Sequence, residues 1–158
     1  VKNADQLAPA LRVAFMESNE AMVESYLKGV EISQGVYKTK EKSVVLPATE
    51  VVTEDEFFDY DAKYNGKVKE ITPARLSPET AKAVAAETSR IYDILHANGI
   101  IRIDYIITKD ENGNDKVNML EINTTPGMTA TSFIPQQVRA AGLDIKDVLT
   151  DIVENQFA

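Results

Sequence analysis

Val117-Asn118-Met119-Leu120-Glu121-Ile122-Asn123-Thr124-Thr125-Pro126-Gly127-Met128-Thr129 begins as an apolar strand and ends in a Thr/Pro/Gly loop. Glu121 and Asn123 therefore stand where a strand runs out into a loop, a common setting for a site. Period-two alternation puts Val117, Met119, Glu121 and Asn123 on one face. A carboxylate two residues from an amide, both aimed the same way, supplies oxygen ligands of the kind a hard divalent cation takes.

The stretch before it, Ile100-Ile101-Arg102-Ile103-Asp104-Tyr105-Ile106-Ile107-Thr108, is β-branched and apolar, and a polar run carrying Asn112-Gly113 separates the two. Asn-Gly between such runs signals a hairpin with those residues at the centre of the turn. Glu111 then faces Asn114, Asp104 faces Glu121, and Arg102 faces Asn123. Facing Cβ atoms are roughly 4.5–5.5 Å apart, so two bare carboxylates repel there unless positive charge sits between them. The pattern implies a divalent cation, with Arg102 beside it. Acids on one strand face are more often the solvated side of an antiparallel sheet; the adjoining Arg and the Pro126-Gly127 loop argue for a site without choosing a reaction.

The 158 residues suit a single domain spanning 1–158, with ordinary hydrophobic (44%) and charged (27%) content. With no Cys there is no disulfide framework, which fits a reducing cytoplasm. A net charge of −8 argues against sequence-independent nucleic-acid binding, which depends on Lys and Arg neutralising phosphates. Apolar runs are broken by Arg102 and Asp104 far short of the roughly 18 residues a membrane span needs. The opening residues do not read as a secretory leader, and Val1 in place of Met suggests a piece of a longer protein.

Outward from the hairpin, residues 4–18 place Leu7, Leu11, Ala14 and Phe15 on one helical stripe, with Asn3 and Gln6 spaced as a capping box and Pro9 fitting badly beyond the first turn. Residues 21–27, 30–38 and 43–52 read as strands of an antiparallel meander. From 53 to 76 the pattern dissolves, and a stretch this long and aromatic reads as a lid over a ligand. Ser77-Pro78 opens the longest helix, whose stripe is Ala81, Val84, Ala85, Thr88, Ile91, Tyr92 and Leu95, ended by Asn98-Gly99. His96 falls in its last turn, where positive charge suits the helix dipole. A short helix over 132–141 is stopped by Gly142, and a last one over 145–155 is capped by Asp144.

Arg102-Ile103-Asp104, then Glu121-x-Asn123-Thr124-x-Pro126-Gly127-Met128-Thr129 and Ser132, resemble the carboxy-terminal part of D-alanine:D-alanine ligases of the ATP-grasp superfamily. Asp59-Tyr60-Asp61-Ala62-Lys63-Tyr64 resembles that family's lid motif, and Glu24-x-Tyr26-Leu27-x-Gly29-x-Glu31 its adenine-binding strand and turn. The resemblance runs from residue 1 to about 158 with its motifs in order. It implies an α+β fold, a largely antiparallel sheet with packed helices forming the C-terminal portion of an ATP-grasp domain. It implies a reaction in which one D-alanine carboxylate takes the γ-phosphoryl of ATP and a second D-alanine amine displaces phosphate from the acyl phosphate, for peptidoglycan precursor synthesis.

By resemblance Asp104, Glu121 and Asn123 hold two Mg²⁺ ions, or Mn²⁺ in their place, on the ATP phosphates. Arg102 and the Gly127 N–H hold the oxyanion, and Ser132 binds the carboxylate of the second D-alanine. Lys63 reaches phosphate from the lid, and Tyr64 latches the lid and favours D-alanine over D-lactate as acceptor. Glu31 and Glu24 address ribose and adenine, with Tyr26 and Leu27 lining the base. The resemblance also implies a homodimer for the full-length protein. Missing here are the family's amino-terminal domain, two ATP-binding Lys and the phosphate loop, so this chain alone is expected to fold without ligating. Two other readings stay open: a different ATP-grasp carboxylate-amine ligase, or a noncatalytic cation-binding module.

Overall fold

β-branched residues dominate the segments that form the sheet, and in the computed structural model, which describes residues 1–53 and 68–158, they pair antiparallel throughout. The strands are β1 (Val30–Lys38), β2 (Ser43–Val45), β3 (Thr49–Thr53), β4 (Val68–Ile71), β5 (Ile100–Lys109) and β6 (Asp115–Asn123). They lie in the order β4-β3-β1-β5-β6, with β2 also on β1. Helices among the described residues are α1 (Leu7–Glu17), α2 (Pro78–Ile94), α3 (Phe133–Ala140) and α4 (Ile145–Glu154).

Alternation along β1 and β5 sorts the molecule into layers. Ile32, Val36, Ile101, Ile103, Tyr105 and Ile107 meet Val84, Ile91 and Tyr92 of α2 in one core. Tyr37 and Ile100, from the opposite face, join Ile134 and Val138 of α3 and Val148 of α4 in a second. Glu31, Ser33, Arg102 and Asp104 share that second face, so the cleft lies on the α3 side of the sheet. Inside the first core Tyr105 and Thr88 share a 2.7 Å hydroxyl contact, and Thr88 donates to Gln34 Oε1 at 2.8 Å. Burial pushes the Tyr105 phenol up to about 12, so this buried network is built on a neutral hydroxyl.

The α+β, largely antiparallel expectation holds, while several local readings change. Residues 21–27 form no strand and pair with none of the described strands, because a strand exists only where an edge accepts its backbone. The run 43–52 splits at Leu46-Pro47-Ala48, where Pro47 has no N–H to give a ladder, and Gln34 Nε2 takes the Leu46 carbonyl at 2.8 Å. The stretch 53–76 contains β4, which pairs with β3. Asn3 caps Gln6 N–H at 3.2 Å, but Gln6 Oε1 accepts from Lys2, not Asn3. Pro9 sits in the first turn of α1, where a missing N–H costs nothing. None of α1 is buried.

In α2 the buried stripe gains Thr80, while Ala81 and Leu95 are exposed. Ser77 caps this helix by accepting from Thr80 N–H at 3.1 Å, and Asp144 caps α4 from Lys146 N–H at 2.8 Å. His96 lies past the C-cap Leu95 with φ 48°, and Ala97 N–H closes onto Tyr92 O at 3.1 Å. The left-handed residue that ends α2 is thus His96, with Gly99 following, in place of the Asn98-Gly99 stop.

The hairpin turn is one residue longer than Asn112-Gly113 implies. Asp110 N–H bonds Asn114 O at 2.8 Å, Lys109 pairs with Asp115, and the loop is Glu111-Asn112-Gly113 with φ 83° at Gly113 only. Asp110 Oδ1 accepts from Asn112 and Asn114 N–H, both at 2.8 Å, which fixes this form. A β-bulge then intervenes: Tyr105 faces Met119, yet Asp104 faces Glu121, leaving Leu120 extra. The two one-residue displacements cancel, so Asp104–Glu121 and Arg102–Asn123 pair as the sequence implied, for a different reason. The bulge also reverses phase. Val117 and Met119 share the α2 side with Ile107 and Tyr105, and Glu121 and Asn123 share the cleft side; the four do not lie on one face.

Glu50, 6% exposed, is held by a fork from Arg75 at 2.6 and 2.9 Å. That fork keeps the Glu50 carboxyl below its ordinary range against the opposing effect of burial. A carboxyl depressed in the fold adds stability that is present above its unfolded value, about 4.3, and is lost as pH falls through the folded value. Urea midpoints measured at pH 7 and below pH 4 should converge more in Glu50→Gln than in the parent; an unchanged acid-side slope would show that Glu50 carries none of it.

Candidate functional site

β5 delivers Arg102 and Asp104 to the cleft face because both occupy positions between core residues Ile101, Ile103 and Tyr105. Arg102 forks onto Asp104, with Nε to Oδ1 at 3.0 Å and a terminal nitrogen to Oδ2 at 2.8 Å. Ser33, directly opposite Asp104 on β1, donates its hydroxyl to Oδ1 at 2.6 Å. Both Arg102 and Asp104 side chains are 14% exposed, whereas Glu121 is 70% exposed and lies 3.9 Å from the same guanidinium. The positive charge that the facing acids require is therefore supplied in this arrangement by Arg102 itself. Phe133, the first residue of α3, lies under that guanidinium with 5.5 Å from ring centroid to carbon, which restrains its plane.

Asp104, Glu121 and Asn123, the residues expected from sequence to hold a cation, offer hard oxygens of the type Mg²⁺ takes. Asp104 Oδ2 and Asn123 Oδ1 each have one hydrogen-bond donor, Arg102 and Thr125 N–H (3.0 Å), so lone pairs remain. Glu121 is the most open of the three. Among the described residues no cluster of three or more His, Cys, Asp or Glu is found. Two carboxylates and one amide are ligand types that Mg²⁺ takes, too few for a closed protein cage.

A cleft of about 470 Å³ is lined by Met22, Glu24, Glu31, Ser33, Val51, Arg102, Asp104, Leu120, Glu121 and Phe133. Of the residues singled out from sequence, it gathers Glu24, Glu31, Arg102, Asp104 and Glu121 in one place. Asn123 joins through its pairing with Arg102. Tyr26, 68% exposed, and the half-buried Leu27 do not line it. Lys63 and Tyr64, with the rest of the lid motif, lie outside the described residues.

Ser132 is the N-cap of α3 by backbone geometry, but its hydroxyl does not bond the helix's own N–H groups. It accepts from Thr129 N–H at 3.2 Å and meets Thr129 Oγ1 at 2.8 Å. A Cβ at Gly127 would stand 2.8 Å from that hydroxyl, so a larger residue there would push the Ser132 hydroxyl from its present place. Gly29 is required more strictly: a Cβ there would run into the Ile107 carbonyl, so the strand carrying Glu31 could not lie against β5.

Sequence reasoning missed Ser33, Phe133 and Leu120. The alternation that puts Ser33 on the same face as Glu31 was present on β1; the Phe133–Arg102 stack carries no local signal, since it arises only when α3 docks.

Comparison with known proteins supplies the lineage. The family model described as D-ala D-ala ligase C-terminus matches residues 1–154. The D-alanine--D-alanine ligase of Bacteroides fragilis is 66% identical over 157 residues, covering 99% of this chain and 47% of that protein. The crystal structure of D-alanyl-alanine synthetase A from Vibrio cholerae superposes with a TM-score of 0.83 at 26% identity, covering 98% of this chain and 46% of that one. The D-alanine--D-alanine ligase of Bacillus anthracis complexed with ATP gives a TM-score of 0.76 at 30% identity, covering 99% of this chain and 49% of that one. The chain thus spans about half the length of the relatives it matches. With the sheet, cleft and paired Arg-Asp and Glu-Asn motifs in place, the chain belongs to the D-alanine–D-alanine ligase C-terminal family.

Proposed function

We propose that this chain is the nucleotide- and metal-facing half of an ATP-dependent ligase that joins two D-alanines, acting in the cytoplasm within a longer, homodimeric protein. The observation that carries this reading is the register that sets Arg102 and Asp104 against Asn123 and Glu121 on the wall of one cleft. Asp104, Glu121 and Asn123 would hold Mg²⁺, and when bound the metal offsets the charge of the ATP phosphates. Glu31 and Glu24 lie along the same wall, suited to ribose and base.

Arg102 would stabilise charge on the acyl phosphate and on the tetrahedral oxyanion that follows, aided by the Gly127 N–H. Its plane is already set by Asp104 on one edge and Phe133 on one face, so little reorganisation remains for the reaction. The attacking D-alanine would place its carboxylate at Ser132, at the N-terminus of α3. Lys63 would bind ATP phosphate, and Tyr64 would favour an amine acceptor. Residues 1–158 would form one folding unit.

The test is ADP release by the full-length protein with D-alanine, L-alanine or D-lactate. D-Alanine should be the preferred substrate at neutral pH, and equal rates with L-alanine would refute the assignment. Asp104→Asn should raise the Mg²⁺ needed for half-maximal rate by at least the roughly 10–100-fold that loss of an outer partner costs a metal site. Unchanged Mg²⁺ dependence would remove Asp104 from the metal. The 158-residue chain alone should release no ADP in response to D-alanine.

A further inference from the structure

Gln137 is fully buried in the middle of α3, an unusual place for an amide, and all of its hydrogen bonds go to the sheet strands β1 and β3. Its Oε1 accepts from Gly35 N–H at 2.8 Å. Its Nε2 donates to Ser33 O at 2.8 Å and to Thr49 Oγ1 at 3.1 Å. Gly35 O accepts from Leu46 N–H, so these backbone groups of β1 point toward the flank where Pro47 interrupts the neighbouring strand. The side chain of a helix thereby takes the place of a missing strand partner. Gly35 makes room for it: a Cβ there would be 2.9 Å from Gln137 Oε1 and 2.5 Å from Ile134 Cδ1.

One turn earlier on the same helix face is Phe133, under Arg102, and next to it Ser132. Ser33, whose carbonyl Gln137 holds, uses its hydroxyl on Asp104. The amide therefore ties together the two elements that must be in register for the site: the strand that orients the acid and the helix that carries the acceptor-side residues. An apolar side chain could fill the space but would leave Gly35 N–H and Ser33 O unpaired, with no preferred seat for α3.

We propose that Gln137 is a positioning residue for the acceptor half of the ligase site, fixing α3 on β1 so that Ser132 and Phe133 stand correctly to Arg102 and Asp104. This rests on the ligase reading. In the full-length protein, Gln137→Leu should raise KM for the acceptor D-alanine about tenfold and leave KM for ATP within about twofold, since small displacements of positioned groups cost rate steeply. Val148→Ala, in the same core but remote from the site, serves as a control of matched loss in Tm and should shift neither KM.

Where Gln137→Leu does not fold, Gln137→Glu is used, which retains an acceptor for Gly35 N–H and loses the donor to Ser33 O and Thr49 Oγ1; the same split is expected. Hydrogen exchange of the Gly35 amide and of residues 133–140 is measured in parallel and should quicken in the Gln137 variants. Unaltered KM values in a folded variant, an equal shift in the Val148→Ala control, or unchanged Gly35 exchange each overturn the proposal. Absence of D-alanine-dependent ADP release in the parent protein would instead refute the ligase reading, and the exchange measurement alone would then decide whether Gln137 seats α3.

Discussion

Arg102→Met in the full-length protein should lower D-alanine-dependent ADP release by about 10²–10³-fold, the range seen when one preorganised donor to a developing oxyanion is removed. The fork on Asp104 and the Phe133 ring hold the guanidinium in place, so in the proposed reaction it would not have to be ordered first. Removal also leaves Asp104, 14% exposed, with only the Ser33 hydroxyl as partner among the described residues. An uncompensated carboxylate in that position should cost on the order of 2 kcal/mol, less than for a fully buried pair. Arg102→Lys should recover little activity, because an ammonium cannot form the planar fork. A rate within threefold of the parent would show that Arg102 serves the fold alone.

Deletion of Leu120 should have an effect of similar size on activity with a much smaller one on stability. Met119 already faces Tyr105, and Glu121 already faces Asp104, so excision closes the ladder without moving any other pair. Val117 stays in the core, and Glu121 stays on the cleft side. What disappears is the local bend that a bulge gives a strand, and with it the aim of Glu121 and one apolar residue of the cleft wall. A displacement near 1 Å at a positioned group can cost about 10²-fold, so ADP release should fall by about that factor while circular dichroism and the urea midpoint stay near the parent's. Loss of the folded state would show instead that the bulge is needed for the sheet to form.

The elements most legible in the sequence are those whose signals are local. Ser77-Pro78 and Asp144 mark their helices because a cap is a contact over two or three residues. β5 declares itself through a run of β-branched residues. Residues 21–27 carry a strand's composition but join none of the described strands, which no local pattern can reveal. The bulge at Leu120 is likewise a response to conflict: an apolar Val117 and an acidic Glu121 share parity in the sequence and need opposite environments. Arg102, Asp104, Glu121 and Asn123 pair as counting from the turn implies only because the longer turn and the bulge offset each other. Ser33 and Phe133 reach them across seventy residues and through a docked helix, and only the assembled fold brings them there.

The alternation on β5 divides two kinds of demand between neighbouring residues. Ile101, Ile103 and Tyr105 answer to the interior, Arg102 and Asp104 to the cleft, and no side chain on that stretch has to serve both. Substitution at one set can proceed without trespassing on the other. On β6 the same partition continues, but its parity inverts at Leu120, so that an inserted residue lets one short ribbon keep an oily side and a cleft side in the same order as its neighbour.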